Sequence, residues 1–193
     1  MKKLTIALAC MALMGNVFAE TVKWDFETPN NDWCPWGFEK TEEVTAERAD
    51  GIISYSNERP HGGKTCLVLR DLFTTVNPYM SLVKPIAVVP DGRYVFGGFA
   101  RSNTAATTKF VAGIAAEAKD GKFIRWVAME KFDAAGEWTE FRLTADKLPS
   151  ETALLRLSVF SHDEKSQTGE ICLDDLYFSR IESATNTADQ QTK

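Results

Sequence analysis

Between residues 52 and 178 the chain is a series of short β-rich runs cut by turn residues, and helical periodicity is almost absent. The runs fall at 52–56, 65–70, 79–83, 86–89, 93–100, 123–129, 138–144, 154–160 and 171–178, with an earlier one at 20–27. Pro78, Pro85, Pro90 and the pairs Asp91-Gly92, Asp120-Gly121 and Ala135-Gly136 punctuate them. Residues 107–118 are ambiguous, because their alanines suit a helix. Thr107, Thr108, Phe110, Val111 and Ile114 favour a strand, and the Asp-Gly turn that follows makes them one arm of a hairpin. Many short strands with turns between them predict an all-β sandwich. Gly97 and Gly98, inside the 93–100 run, mark a bulge or a close approach to the backbone.

The ends of the chain read differently. Lys2, Lys3, an apolar stretch over 4–13 and Val17-Phe18-Ala19 form an export signal with cleavage expected before Glu20. That apolar stretch is too short to span a membrane. Residues 182–193 lack any large apolar side chain and are expected to be disordered. The domain is thus expected over 20–181, in a secreted, periplasmic or cell-surface location. The formal net charge is −5 and becomes more acidic once Lys2 and Lys3 are removed. With no basic block or stripe, the composition argues against nucleic acid and anionic membranes as partners.

Two runs carry acids where strands seldom do. Asp174 and Asp175 interrupt the closing run Ile171-Cys172-Leu173-Asp174-Asp175-Leu176-Tyr177-Phe178, and Asp25 and Glu27 flank Phe26 near the start. A carboxylate in mid-strand must be offset by a cation, by backbone donors or by exposure. Three cysteines follow the export signal, Cys34, Cys66 and Cys172, which in an exported chain suggests one disulfide and one thiol with the pairing open. Trp33 and Trp36 stand in a stretch rich in turn residues, where large aromatics are harder to bury. Nothing marks a catalytic centre. The only histidines are His61 and His162, and Ser161-His162-Asp163 are consecutive, whereas triad members converge from separate segments.

The order of these signals resembles the carbohydrate-binding modules of families 4, 9, 16 and 22, within the galactose-binding-like β-sandwiches. The marks are Phe26-Glu27, then His61-Gly62-Gly63-Lys64-Thr65-Cys66-Leu67-Val68-Leu69, then Asp91-Gly92-Arg93-Tyr94, Gly136-Glu137-Trp138 and Leu173-Asp174-Asp175-Leu176. The resemblance runs from about Val22 to Ile181. It implies a jelly-roll β-sandwich of two antiparallel sheets and a non-catalytic protein that binds a polysaccharide or oligosaccharide. It also implies a structural calcium where the first and last strands meet. The ligands would be Glu27, Asp174 and backbone carbonyls of the turn holding Lys64, with Asp25 and Asp175 in reserve. Sugar rings would stack on Trp33, Trp36 or Trp126, with Arg101, Asn103 and Arg125 bonding hydroxyls. Trp138 and Trp24 would be packing residues. The resemblance makes Cys66 and Cys172 neighbours and a disulfide between them an expectation, with Cys34–Cys66 nearly as well placed. Two other readings stay open: a structural or cell-surface interaction protein, and a small polysaccharide hydrolase or lyase.

Overall fold

The computed structural model describes residues 21–36, 51–71, 79–103, 107–161 and 169–181. The export signal, the acidic 39–50 stretch and the 182–193 tail lie outside the described residues. The described residues form strands β1 (Val22–Trp24), β2 (Trp33–Trp36), β3 (Ile53–Ser56), β4 (Cys66–Asp71), β5 (Tyr79–Leu82), β6 (Ile86–Ala87), β7 (Arg93–Ser102), β8 (Thr108–Glu117), β9 (Phe123–Ala134), β10 (Thr139–Ala145), β11 (Leu154–Phe160) and β12 (Gly169–Ile181).

These make two antiparallel six-stranded sheets. The first runs β10-β7-β12-β4-β3, with β1 also paired to β12; the second runs β2-β5-β11-β8-β9, with β6 also paired to β11. This is the expected sandwich. Residues 107–118 resolve as strand, because Ala112, Ile114 and Ala116 alternate inward with no exposure while β9 pairs along one edge and β11 along the other.

The inner faces supply the core. Leu67, Leu69, Phe96, Phe141, Leu143, Ile171 and Leu173 from the first sheet meet Met80, Leu82, Phe110, Ile114, Leu155, Leu157 and Val159 from the second. Trp24 meets Trp33 edge-on at 5.3 Å, and Trp33 stacks on Phe96 at 6.2 Å, so β1 and β2 join the sheets at this end.

Strand β12 lies at the centre of the first sheet. One edge follows β7 along its length; the other pairs with β4 over 169–173 and with β1 over 176–178. Between those partners the register against β7 shifts after Asp174, and the shift contains Asp175 and Leu176. The glycine pair in β7 faces this irregularity: a Cβ on Gly97 would come within 2.7 Å of the Tyr177 hydroxyl. Close approach is therefore why glycine stands there.

Candidate functional site

Two places gather the chemistry. The first is the gap in β12's edge, filled by the turn at 61–65. Asp174 is fully buried, and its Oδ2 accepts the backbone N–H groups of His61 at 2.9 Å and Gly62 at 3.1 Å; its Oδ1 accepts that of Asp175 at 2.9 Å. Glu27 Oε1 accepts the N–H groups of Lys64 at 2.7 Å and Thr65 at 3.1 Å, and the Thr65 hydroxyl donates to Phe26 O at 2.6 Å. Asp25 Oδ1 accepts the Glu27 N–H, and His61 Nδ1 lies 2.7 Å from Asp175 Oδ2. Burial pushes the Asp174 carboxyl above its ordinary range, and the backbone donors oppose that. Asp174 is offset by backbone donors, Glu27 by backbone donors and exposure, Asp25 by exposure, and Asp175 by partial exposure beside His61. Phe26, Arg59, Asp175 and Gly63 all take left-handed backbone angles around this turn. Among the described residues no group of three or more His, Cys, Asp or Glu side chains is placed to hold a metal ion. Glu27, just after β1, and Asp174, in β12, thus grip the same 61–65 turn through its backbone N–H groups.

The second place is the outer face of the second sheet. The register carries one row across five strands, Cys34, Ser81, Ser158, Gly113 and Met129. Its neighbouring row is Trp36, Tyr79, Phe160, Val111 and Lys131. Small residues form the floor and aromatics the walls. Phe123 lies 6.0 Å from Trp126, Trp126 6.3 Å from Phe160, and Phe160 stacks on Tyr79 at 4.4 Å. Trp126 lies over Gly113, where a Cβ would come within 2.8 Å of the indole. Five strands at about 4.8 Å spacing make a band roughly 19 Å across.

One charged pair sits in this band. Arg156 gives Nε and Nη2 to the two oxygens of Glu117, at 2.5 and 3.1 Å, and Nη1 to the carbonyls of Leu82 and Val83. Its guanidinium lies 5.8 Å from the Trp36 ring centroid. Glu117 is buried, so the charges cancel locally and the pair fixes the wall. Burial also pushes the Cys34 thiol and the Tyr79 phenol up, the Arg156 charge opposing in both. The face is thus aromatic, with the Arg156–Glu117 pair neutralised internally and Lys131 at its β9 edge.

The expected sugar-binding residues divide. Trp36, 44% exposed, and Trp126 share this face, and exposed Arg125 adjoins Trp126. Trp33 does not belong: it is 5% exposed in the core. The turn-rich stretch contains strand β2, and three residues along a strand reverse the face, so Trp33 points in and Trp36 out. Arg101 and Asn103 also belong elsewhere, at the end of β7 on the first sheet. Arg101 is 3% exposed, bonded to Glu58 O, Ser102 O and Asn103 Oδ1, and placed over Trp138. It pins the segment before the 61–65 turn. The residues missed were Tyr79, Phe160, Phe123, Met129, Glu117 and Arg156. The clean alternation of β11 sets Arg156 and Phe160 on one face, which was the available signal. Trp24 packs in the main core, whereas Trp138 packs outside it, on Cys66, Val68 and Cys172. Cys66 and Cys172 are adjacent thiols and not the expected disulfide, since the β4–β12 register sets them diagonally. Cys34 lies on the other sheet, which removes the Cys34–Cys66 pairing.

No family model and no curated protein matches the chain. Solved structures do. The CBM22-1–GH10 modules of Clostridium thermocellum xylanase 10B, solved with xylohexaose, match with a TM-score of 0.59 at 18% identity, over 87% of this chain and 30% of that one. The CBM22-1 xylan-binding domain of Paenibacillus barcinonensis Xyn10C gives 0.56 at 14%, over 86% of this chain and 97% of that one. The tandem CBM22-1–CBM22-2 domain of that protein gives 0.60 at 14%, over 91% and 49%. The fold is therefore the two-sheet β-sandwich that these carbohydrate-binding modules also have. The solved structures it is similar to include modules of family 22. The chain spans about a third of the xylanase modules but nearly the whole of the single module.

Proposed function

We propose that this chain is an exported, non-catalytic carbohydrate-binding protein that takes a neutral polysaccharide across the outer face of the second sheet. The observation carrying this reading is the aromatic band, Trp36, Tyr79, Phe160, Trp126 and Phe123, over a floor of small residues. Aromatic faces stack on the apolar faces of pyranose rings, while polar groups nearby bond the hydroxyls. A band roughly 19 Å across fits about four sugar units. The pairing of Glu117 with Arg156 inside the face favours an uncharged glycan. Glu117, the buried acid there, is committed to Arg156, which speaks against acid–base catalysis. No helix among the described residues is long and apolar enough to cross a membrane. Calcium belongs to the proposal too, held by Glu27, Asp174 and carbonyls of the 61–65 turn, and would supply a structural charge at the domain's junction.

The test is calorimetric titration with xylohexaose and a panel of soluble neutral oligosaccharides. Binding by the wild type, weakened at least about tenfold in Trp126→Ala, is the expected result; tenfold corresponds to about 1.4 kcal/mol. Absence of binding across the panel, or unchanged binding in the variant, overturns it. A second reading, a protein interaction surface, is favoured by the exposure of Trp36, Phe123 and Met129 on one face. It predicts a concentration-dependent oligomer in sedimentation that Phe123→Ser disperses.

A further inference from the structure

The outer face of the first sheet, opposite the aromatic band, carries a cavity of about 320 Å³ at the bulge of β12. The register builds two rows of side chains there. Lys23, Tyr177, Gly97 and Arg142 stand side by side in one row. Phe99 and Glu140 are paired in the next, with Asp175 in the bulge and Asp25 just past β1. Lys23, Asp25, Phe99, Asp175 and Tyr177 line the cavity. Tyr177 lies across Gly97, where a Cβ would come within 2.7 Å of its hydroxyl and 2.8 Å of its Cζ, so glycine lets the ring rest against β7. Phe99 stacks on the His61 ring at 3.6 Å, and His61 Nδ1 lies 2.7 Å from Asp175 Oδ2, so this wall is held in place. The polar groups beside it are open. Among the described residues the Lys23 ammonium, Asp25 Oδ2 and Asp175 Oδ1 have no hydrogen-bond partner. Glu117 and Arg156, on the other sheet, are by contrast committed to one another.

We propose that this cavity is a second carbohydrate site, which takes one or two units of a neutral sugar. Ligand pockets span roughly 300–1,000 Å³, so this one is at the small end and suits a short sugar rather than a long chain. Its chemistry matches a pyranose. The apolar face of the sugar stacks on the Tyr177 ring beside Phe99. Sugar hydroxyls donate to Asp25 and Asp175, and a sugar oxygen accepts from Lys23. Carboxylates and an ammonium line the same small space, so an acidic sugar and an amino sugar would each meet a like charge. Glu27 and Asp174 take no part in it. The ligand class rests on the glycan reading above, whereas the place rests on other strands, so each can fail alone.

The experiment is an amide NMR titration of the isotope-labelled protein with xylobiose, cellobiose and galactobiose, which reads the two faces separately. Saturable shifts at Lys23, Gly97, Phe99, Asp175 and Tyr177 are expected with at least one of them. Affinity there should fall at least about tenfold in Tyr177→Ala and several-fold in Lys23→Ala, and hold in Trp126→Ala. Lys23 is exposed, so its variant decides should Tyr177→Ala fail to fold. No saturable shift at these residues, or equal affinity in Lys23→Ala and wild type, overturns the site. Shifts confined to the second sheet and lost in Trp126→Ala overturn it and leave the proposed function standing. Shifts confined to the first sheet establish the site and overturn the binding face proposed above. Tighter binding of glucuronic acid or glucosamine than of glucose overturns the neutral ligand class.

Discussion

Gly113 shows how one missing methyl group shapes the proposed binding face. It sits mid-strand in β8 with the Trp126 ring laid over it, and a Cβ there would meet the ring at 2.8 Å. Real Cβ atoms do not approach that closely, so the indole must lift away. The indole is only half-buried, and its displacement costs little of the core. Gly113→Ala is therefore expected to weaken oligosaccharide binding several-fold while changing unfolding free energy by less than about 1 kcal/mol. Titration beside urea unfolding separates the two, and an equal fall in both would show that the glycine serves packing alone. In the sequence this glycine simply sits in the middle of the 107–118 run. A glycine inside a strand announces a close approach, but it does not say what approaches.

At the level of the strand, much of the architecture was legible and much of the facing was not. Alternation and turn residues placed β4, β7, β8, β9, β10, β11 and β12 close to where they lie. Facing depends on parity, and parity fails at bulges. One irregularity in β9, between Trp126 and Ala128, brings Trp126 and Met129, three residues apart, to Gly113 on one outer face. The shift in β12 does the same for Leu173 and Leu176, which both enter the core. In β2 the opposite happened: turn residues hid a strand, so Trp33 and Trp36 were read as equivalent. They should part by mutation. Trp33→Ala opens the junction with Trp24 and Phe96 and is expected to cost about 3–5 kcal/mol. Trp36→Ala should change stability by less than about 1 kcal/mol and weaken oligosaccharide binding instead. Denaturant unfolding of both variants checks this, and comparable losses would mean that β2 does not divide the two rings between core and surface.

Across the whole molecule, the two ends of the domain meet at one turn, as the paired acids suggested. What the sequence could not choose was the group that offsets those acids, because backbone N–H groups leave no residue signature. The structure supplies five such donors to Glu27 and Asp174, all from residues 61, 62, 64, 65 and 175. Asp174 nonetheless keeps a raised carboxyl pKa, with burial as the largest cause, so its charged form is still short of stabilisation. A cation at this junction would make up that deficit and join first strand, turn and last strand. Thermal unfolding in EDTA and then in millimolar calcium tests it. A ligand at 100 times its dissociation constant adds about 2.7 kcal/mol, which for a domain of this size raises the melting temperature by about 5–10 °C. Asp174→Ala should abolish that rise and also melt lower in EDTA, since three N–H groups lose their acceptor. If the wild type melts at one temperature in both solutions while the variant still melts lower, the backbone donors alone hold the junction and the calcium proposal falls.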